Sequence, residues 1–433
     1  MHAYLPLLSL VAIAQLGAVS ASFRRRQDET VVNIEGEDEE EPPLELPEET
    51  ESLIAMQFTD DPHAGRDHME MIQNGELGLS GIIYAPKSFT ASGGSDYTEV
   101  YGEFCAFDSA LNKADPAHYP TIDAVMSQSE HCDEHSYTIP LREVMEAVSA
   151  TDGSSNKMKR LPVTGLLFHI GYSGAGLVSN ALTTFESAHV VSEHTAIRDA
   201  LSACDIIRNR YLSEDCSPEK QSMLLRDVVT LLSRVPATSL ARHLYLKAPS
   251  MSAAHLTELR SLYPEAKWAF VYRKAEDALA KATMRNRDTV CVKSRRNPSA
   301  ALIAKARERG LDLEALSPHD LCAMHLATLL EAAVREHEAS GTGMLISYDK
   351  DILSNVDAMV NVILPYLGLG EDIAANPEVA REHVAAILSM RSDTSMLREP
   401  EDQRWNEGGE SIEITEEVRA ASQAHMGELM GRV

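Results

Sequence analysis

The residues best suited to chemistry lie at a glycine-rich turn. Phe168-His169-Ile170 runs into Gly171-Tyr172-Ser173-Gly174-Ala175-Gly176, and Leu177 then enters a helical pattern. Three glycines at a strand-to-helix turn let the backbone come close to an anion, and the unpaired N–H groups of the helix start face it. Gly171 and Gly176 have the spacing of a Walker A loop, but that motif needs Lys and then Ser or Thr after its last glycine. Leu177 and Val178 stand there. An ATP hydrolase or kinase built on that lysine and a magnesium ion is therefore disfavoured, and a structural turn with no ligand is the plain alternative. Two charged residues follow apolar runs. Glu193 comes after Val190-Val191-Ser192, and Arg273 after Trp268–Tyr272, at the strand end where open α/β sheets bind ligands. His169 reads as a core histidine. His255, His319 and His325 read as packing or surface residues. His131-Cys132-Asp133-Glu134-His135 is too crowded for one tetrahedral metal site and reads as a surface turn.

From residue 161 onward, apolar strands alternate with helices. Strands are predicted over 164–170, 189–192, 243–246, 268–272 and 344–347. Helices are predicted over 177–184, 218–234, 252–263, 275–287, 300–309, 318–339 and 356–367. In the second of these, Met223, Leu224, Val228, Leu231 and Leu232 keep helical spacing. The alternation implies a mostly parallel sheet covered on both faces. Residues 62–160 are mixed, with a strand expected over 81–84 and a helix opening at Ile139-Pro140-Leu141 and running through Val148. A polar link over 151–159 follows. This stretch is expected to be an N-terminal extension packed on the 161–433 domain.

The 433 residues carry 39 basic and 66 acidic side chains, a formal charge of −27. Fourteen of the acids fall within 27–61, which has no Lys or Arg and contains Pro42-Pro43. Residues 23–61 are expected to be a disordered, solvating linker. An acidic surface argues against nucleic acid as the partner, though not against a small anion in a pocket with its own field. Residues 4–19 are apolar and are followed by Val19-Ser20-Ala21, a small-residue cleavage pattern, so 1–22 read as a secretory signal peptide. Arg24-Arg25-Arg26 after the apolar run leaves membrane anchoring through 4–19 as the alternative. Six cysteines, Cys105, Cys132, Cys204, Cys216, Cys291 and Cys322, suit disulfides behind such a segment. Sequential pairing is expected, since each neighbouring pair closes a loop without crossing the sheet. The expected location is the secretory pathway, in the Golgi lumen or outside the cell.

Over about 161–433 the chain resembles the sulfotransferase superfamily, whose loop at this junction reads Lys/Arg-Ser/Cys-Gly-Thr/Ser-Thr/Ser. Val190-Val191-Ser192-Glu193 resembles the second strand of protein-tyrosine sulfotransferases, which ends in a catalytic glutamate. Tyr245-Leu246-Lys247-Ala248-Pro249 resembles the family's Lys-x-Pro strand end. The stretch from Leu259 through Pro264-Glu265-Ala266-Lys267 to Arg273 resembles the helix, turn and buried strand that end in the arginine holding the donor's 3′-phosphate. Leu345-Ile346-Ser347-Tyr348-Asp349, and later Leu367-Gly368-Leu369, resemble the Tyr-Glu-Asp-Leu strand and its following helix.

The resemblance implies a P-loop NTPase-like three-layer α/β fold. It also implies transfer of a sulfuryl group from 3′-phosphoadenylyl sulfate to a hydroxyl of a glycan, protein or small molecule, without a metal. Gly171, Tyr172, Ser173, Gly174, Ala175, Gly176 and Leu177 would hold the 5′-phosphate. Arg273 and Lys281 would hold the 3′-phosphate, Glu193 would accept the acceptor's proton, and Lys247 would balance charge on the bridging oxygen. Four residues depart from the pattern. Tyr172 replaces a Lys or Arg, Ala175 and Gly176 replace hydroxyl residues, and Lys281 replaces a Ser. An aromatic in the loop is also met among bacterial sulfotransferases. The loop changes support the alternative of a catalytically silent relative that binds a nucleotide or partner.

Overall fold

The computed structural model describes residues 63, 65–84, 100–116, 118–129, 132, 135–151, 157–204, 216–284, 291, 294–295, 298–353, 355–389 and 414–433. The apolar segment at 4–19, the acidic linker and most of the His131–His135 cluster lie outside them.

The first part is a three-stranded antiparallel sheet in the order β1 (Gly78–Tyr84), β2 (Val100–Cys105), β3 (Tyr137–Pro140). Helices α1 (His68–Asn74), α2 (Ile122–Ser127) and α3 (Leu141–Thr151) accompany it. The helix expected to open at Ile139 begins at Leu141 instead, because Ile139 and Pro140 pair with Gly102 and Tyr101 as the last residues of β3. The second part is a five-stranded parallel sheet. Its strands are β5 (Val163–His169), β6 (Ala188–Ser192), β8 (His243–Lys247), β9 (Lys267–Tyr272) and β10 (Met344–Ser347), ordered β10-β9-β5-β8-β6. Short strands β4 (Met158–Arg160) and β7 (Arg234–Pro236) pair antiparallel beside it, so the polar link expected over 151–159 ends in a strand.

Strand alternation explains the three layers. Leu166 and Phe168 of β5 face one core with Leu246, Trp268 and Phe270. Leu167 faces the opposite core with Val190, Tyr245, Ala269, Val271 and Ile346. Because both faces are apolar, both must be covered. Helix α4 (Ala175–Thr183), the irregular helical run over 356–369 and α11 (Pro377–Ser389) cover the second face. The first face is covered by α5 (Thr195–Leu201), α6 (Pro218–Leu232), α7 (Leu256–Leu262), α8 (Ala275–Met284), α10 (Pro318–Ser340) and α12 (Glu416–Met430). Helix α9 (Ala300–Glu308) packs on α10 through Leu302, Leu321 and Met324. Two starts are written in sequence. Ser217-Pro218 and Ser317-Pro318 place a hydroxyl N-cap before a proline in the first turn, and each serine oxygen accepts the N–H three residues on.

Two further expectations need correction. The helix expected from Ser252 opens as a 3₁₀ turn over Ser250–His255 and becomes α-helical only at Leu256. The helix expected over 356–367 is wide-turned, and Gly368 at φ 102° kinks it before a further turn over Gly370–Ala375. Strand β2 and helices α1, α2, α5, α11 and α12 lacked a readable pattern. The cysteines pair in sequence order, Cys105–Cys132, Cys204–Cys216 and Cys291–Cys322. Among the described residues, no single helix is long and apolar enough to cross a membrane.

Candidate functional site

The strand order places the first strand of the sheet, β5, in the middle. The chain goes from β5 to β6 and β8 on one side, then crosses to β9 and β10 on the other. The crevice at the C-terminal ends of strands around such a reversal is where open α/β sheets bind ligands. The glycine turn lies there. Gly171 and Gly174 adopt φ 84° and 82°, and Tyr172 between them is also left-handed at 49°. Helix α4 begins at Gly174 without a side-chain cap, so its first amides keep their capacity for an anion. A Cβ on Gly174 would meet the Tyr348 ring at 2.3 Å, which is why glycine stands there.

Three neighbouring strands deliver three ionisable side chains to one point. Lys247 ends β8 and pairs with Leu167 of β5 and with Ser192 of β6. The Glu193 N–H continues that ladder onto the Lys247 carbonyl at 2.7 Å. The Lys247 ammonium contacts Glu193 Oε1, and His169 Nε2 lies 3.3 Å from the same oxygen. His169 Nδ1 accepts the Gly171 N–H at 3.0 Å, so in the neutral ring the proton sits on Nε2, which is near the carboxylate but not aligned for a hydrogen bond to it. Burial pushes the Glu193 carboxyl up, but the Lys247 charge and the His169 ring outweigh it and hold the group well below the usual carboxylate range. Burial holds His169 below the ordinary histidine value, so it stays neutral. His169 thus belongs to the site and is not merely a packing residue. Its strand-end place two residues before Gly171 does not by itself distinguish it from a packing histidine.

Arg273 leaves the end of β9 and is buried. Its Nη1 donates to the Tyr172 carbonyl at 3.3 Å, Nη2 lies 3.5 Å from Asp277, and the guanidinium covers the Tyr348 ring at 4.7 Å. Nε is buried without a partner, as is the Ser173 hydroxyl in the loop. Asp349 accepts the Lys274 N–H at 3.0 Å, which ties the end of β10 to the end of β9. Lys281, half-buried, lies in the last turn of α8. Sequence reasoning gave no role to Tyr348 and did not mention Asp277. Tyr348 is visible only as part of the strand-end motif, and Asp277 stands four residues after Arg273 on a helix start.

A cleft between α5, the 3₁₀ turn and α10 is lined by Arg198, Ser202, Ser252, His255, Ser294 and His325, among others. The Ser252 hydroxyl is buried without a partner. His255 and His325, which the sequence left as surface or packing residues, line this cleft. No grouping of His, Cys, Asp and Glu among the described residues is arranged to hold a metal ion.

No family model matches this chain, and no curated protein matches it. Among solved structures it is similar to a sulfotransferase from Mycobacterium avium. Identity is 11% over 54% of this chain and 69% of the other, with a TM-score of 0.34. It is also similar to a sulfotransferase domain from the curacin biosynthetic pathway. There identity is 12% over 61% of this chain and 98% of the other, with a TM-score of 0.28.

Proposed function

We propose that this chain transfers a sulfuryl group from 3′-phosphoadenylyl sulfate to an acceptor hydroxyl. The observation that carries the reading is the meeting of Glu193, Lys247 and His169 at the mouth of an uncapped glycine loop. The loop suits a 5′-phosphate, since no side chain caps its helix start and the Ser173 hydroxyl lacks a partner. Arg273 suits the 3′-phosphate, since Nε is a buried donor with nothing to bind. Lys281 adds a point charge on the same helix as Asp277.

In the reaction, the acceptor oxygen bonds to sulfur as the bond from sulfur to the bridging phosphate oxygen breaks. The products are a sulfate ester and 3′-phosphoadenosine 5′-phosphate, and the hydroxyl proton passes to Glu193. A carboxylate paired to an ammonium is a weak base, so Lys247 cannot serve Glu193 and the leaving oxygen at once. When Lys247 turns to the bridging oxygen, Glu193 loses the charge that holds its pKa down. Burial then raises its proton affinity just as the base is needed. His169 Nε2, 3.3 Å from the carboxylate, is close enough to take up a hydrogen bond to it as Lys247 turns away. The hydroxyl-lined cleft at Ser252 is the side from which the acceptor enters. Three disulfides are compatible with an extracellular or secretory location, and we place the reaction in the lumen of that pathway.

Calorimetric titration of the full chain with 3′-phosphoadenosine 5′-phosphate tests the reading. Saturable binding is expected, and none at millimolar ligand would sink it. Glu193→Gln should keep that binding and lose transfer by about 10²–10⁴-fold. A labelled donor on a glycan array then identifies the acceptor. The second reading, a silent nucleotide binder, is favoured by Tyr172, Ala175 and Gly176, which leave the loop without a cation or hydroxyls at those positions. Binding with no transfer to any acceptor class would establish it.

A further inference from the structure

The N-terminal sheet unit grips the segment that carries Glu193. Glu193 and Tyr172 are the two non-glycine residues with positive φ among those described, and Glu193 stands at 52°. A left-handed glutamate persists only where its surroundings over-determine it. Directly after it, His194 is fully buried. Its Nδ1 accepts the Ala196 N–H at 3.1 Å, capping α5, so the ring proton sits on Nε2, 2.9 Å from the Leu79 carbonyl of β1. Strand β1 is an edge strand, and a bulge between Leu79 and Gly81 interrupts its pairing with β2 at this point. Thr195 comes next. Asp123, in the first turn of α2, accepts its hydroxyl at 2.6 Å and its N–H at 3.3 Å. One turn further on, the Tyr84 hydroxyl at the end of β1 donates to the Asp199 carbonyl at 2.8 Å. Three consecutive grips on residues 194–199 thus come from three points of the 65–151 unit, 72 to 115 residues away in sequence.

We infer that the 65–151 unit is part of the reaction apparatus, a clamp whose Leu79 carbonyl, Asp123 carboxylate and Tyr84 hydroxyl set where the Glu193 carboxylate stands. The inference rests on the proposed function for what Glu193 does, but not for where it is held. Asp123, Tyr84 and His194 are positioning residues, since none of them contacts Glu193's carboxylate partners. Arg273 stands at the end of β9, across β5 from the Glu193 strand, so the clamp acts on the proton-accepting side of the site and is expected to leave nucleotide binding within twofold.

The test uses the full chain with Asp123→Ala, Asp123→Asn and Thr195→Val. Asparagine can still accept the Thr195 N–H, so it should restore most of what alanine loses. Asp123→Ala is expected to lower kcat at least tenfold, leave binding of 3′-phosphoadenosine 5′-phosphate within twofold, and shift the acid limb of the pH–rate profile. The imidazole nitrogen signals of His169, assigned by their loss in His169→Gln, should move in Asp123→Ala and return in Asp123→Asn. If Asp123→Ala does not fold, Thr195→Val, which removes one hydroxyl contact, decides the same points. Unchanged His169 signals and unchanged kcat in a folded variant overturn the inference. Parallel loss of nucleotide binding and kcat overturns it too, because that marks a general scaffold role. If the wild-type chain transfers nothing, the proposed function fails, and the His169 signals alone still decide the clamp.

Discussion

Neutralising Glu193 should destabilise the fold more than neutralising its partner. The Lys247 side chain is 3% exposed and the Glu193 side chain 29%. Removing one member of a buried ion pair costs about 3–5 kcal/mol, because the remaining charge is left without a partner. In Glu193→Gln the orphan is the buried ammonium, which water cannot reach, so a loss of about 3 kcal/mol is expected. In Lys247→Met the orphan is a carboxylate that is only partly buried and still has His169 at 3.3 Å, so the loss should be smaller, about 1–2 kcal/mol. Glutamine accepts the same left-handed backbone poorly but no worse than glutamate, so strain cancels in the comparison. The double variant removes both charges and should recover most of the loss, with a coupling of about 1–3 kcal/mol. Urea unfolding at neutral pH, followed by the fluorescence of buried Trp268, measures all four proteins. Equal costs for the two single variants, or strictly additive costs in the double variant, would refute the assignment of Lys247 as the buried partner.

Gly174→Ala should abolish nucleotide binding and cost about 1–3 kcal/mol, because its Cβ would enter the Tyr348 ring and the position is left-handed; calorimetry and urea midpoints check both. Arg273→Lys should weaken binding of 3′-phosphoadenosine 5′-phosphate by roughly 10–100-fold, since lysine has no Nε–Nη edge and stacks poorly on Tyr348; unchanged affinity would remove Arg273 from the site. Acid should destabilise the chain early. Burial holds His169, His189 and His194 below their ordinary value, so below about pH 6.5 the unfolded chain binds protons that the fold does not. Stability should therefore be full above that pH and fall below it, by up to about 1.4 kcal/mol per pH unit for each histidine. Urea midpoints that stay level from pH 7.5 to 5.5 would contradict this. Glu193, whose pKa is lowered, should lose its contribution only as pH falls below the ordinary carboxylate range.

Much of the sheet was legible because its strands are short, continuous apolar runs between helical repeats. β5, β6, β8, β9 and β10 each lie within a residue or two of their expected bounds. The N-terminal unit was far less legible. β2 reads Val100-Tyr101-Gly102-Glu103-Phe104-Cys105, where a buried Glu103 and a glycine break the alternation that marks a strand. Helix α5 is only seven residues long, and its start is capped by a histidine rather than by Ser, Thr, Asp or Asn, so its boundary carries no familiar signal. At the site, Glu193, Lys247 and Arg273 could be named from their strand ends. The place of His169 could not, since a histidine in an apolar strand has the same appearance whether it packs or faces a carboxylate.

By itself the sequence determined the glycine turn and the parallel α/β class, both of which depend on residues close together in the chain or on a local repeat, while the sequential disulfide pairing was one expectation among the fifteen that six cysteines allow. Only the tertiary structure decided that Lys247 meets Glu193 across 54 residues, and that Asp123 reaches Thr195 across 72. Those contacts depend on the register between parallel strands and on which edge of the sheet a separate unit covers. Neither is encoded in a local pattern, because the residues that set them are adjacent only after the chain has folded.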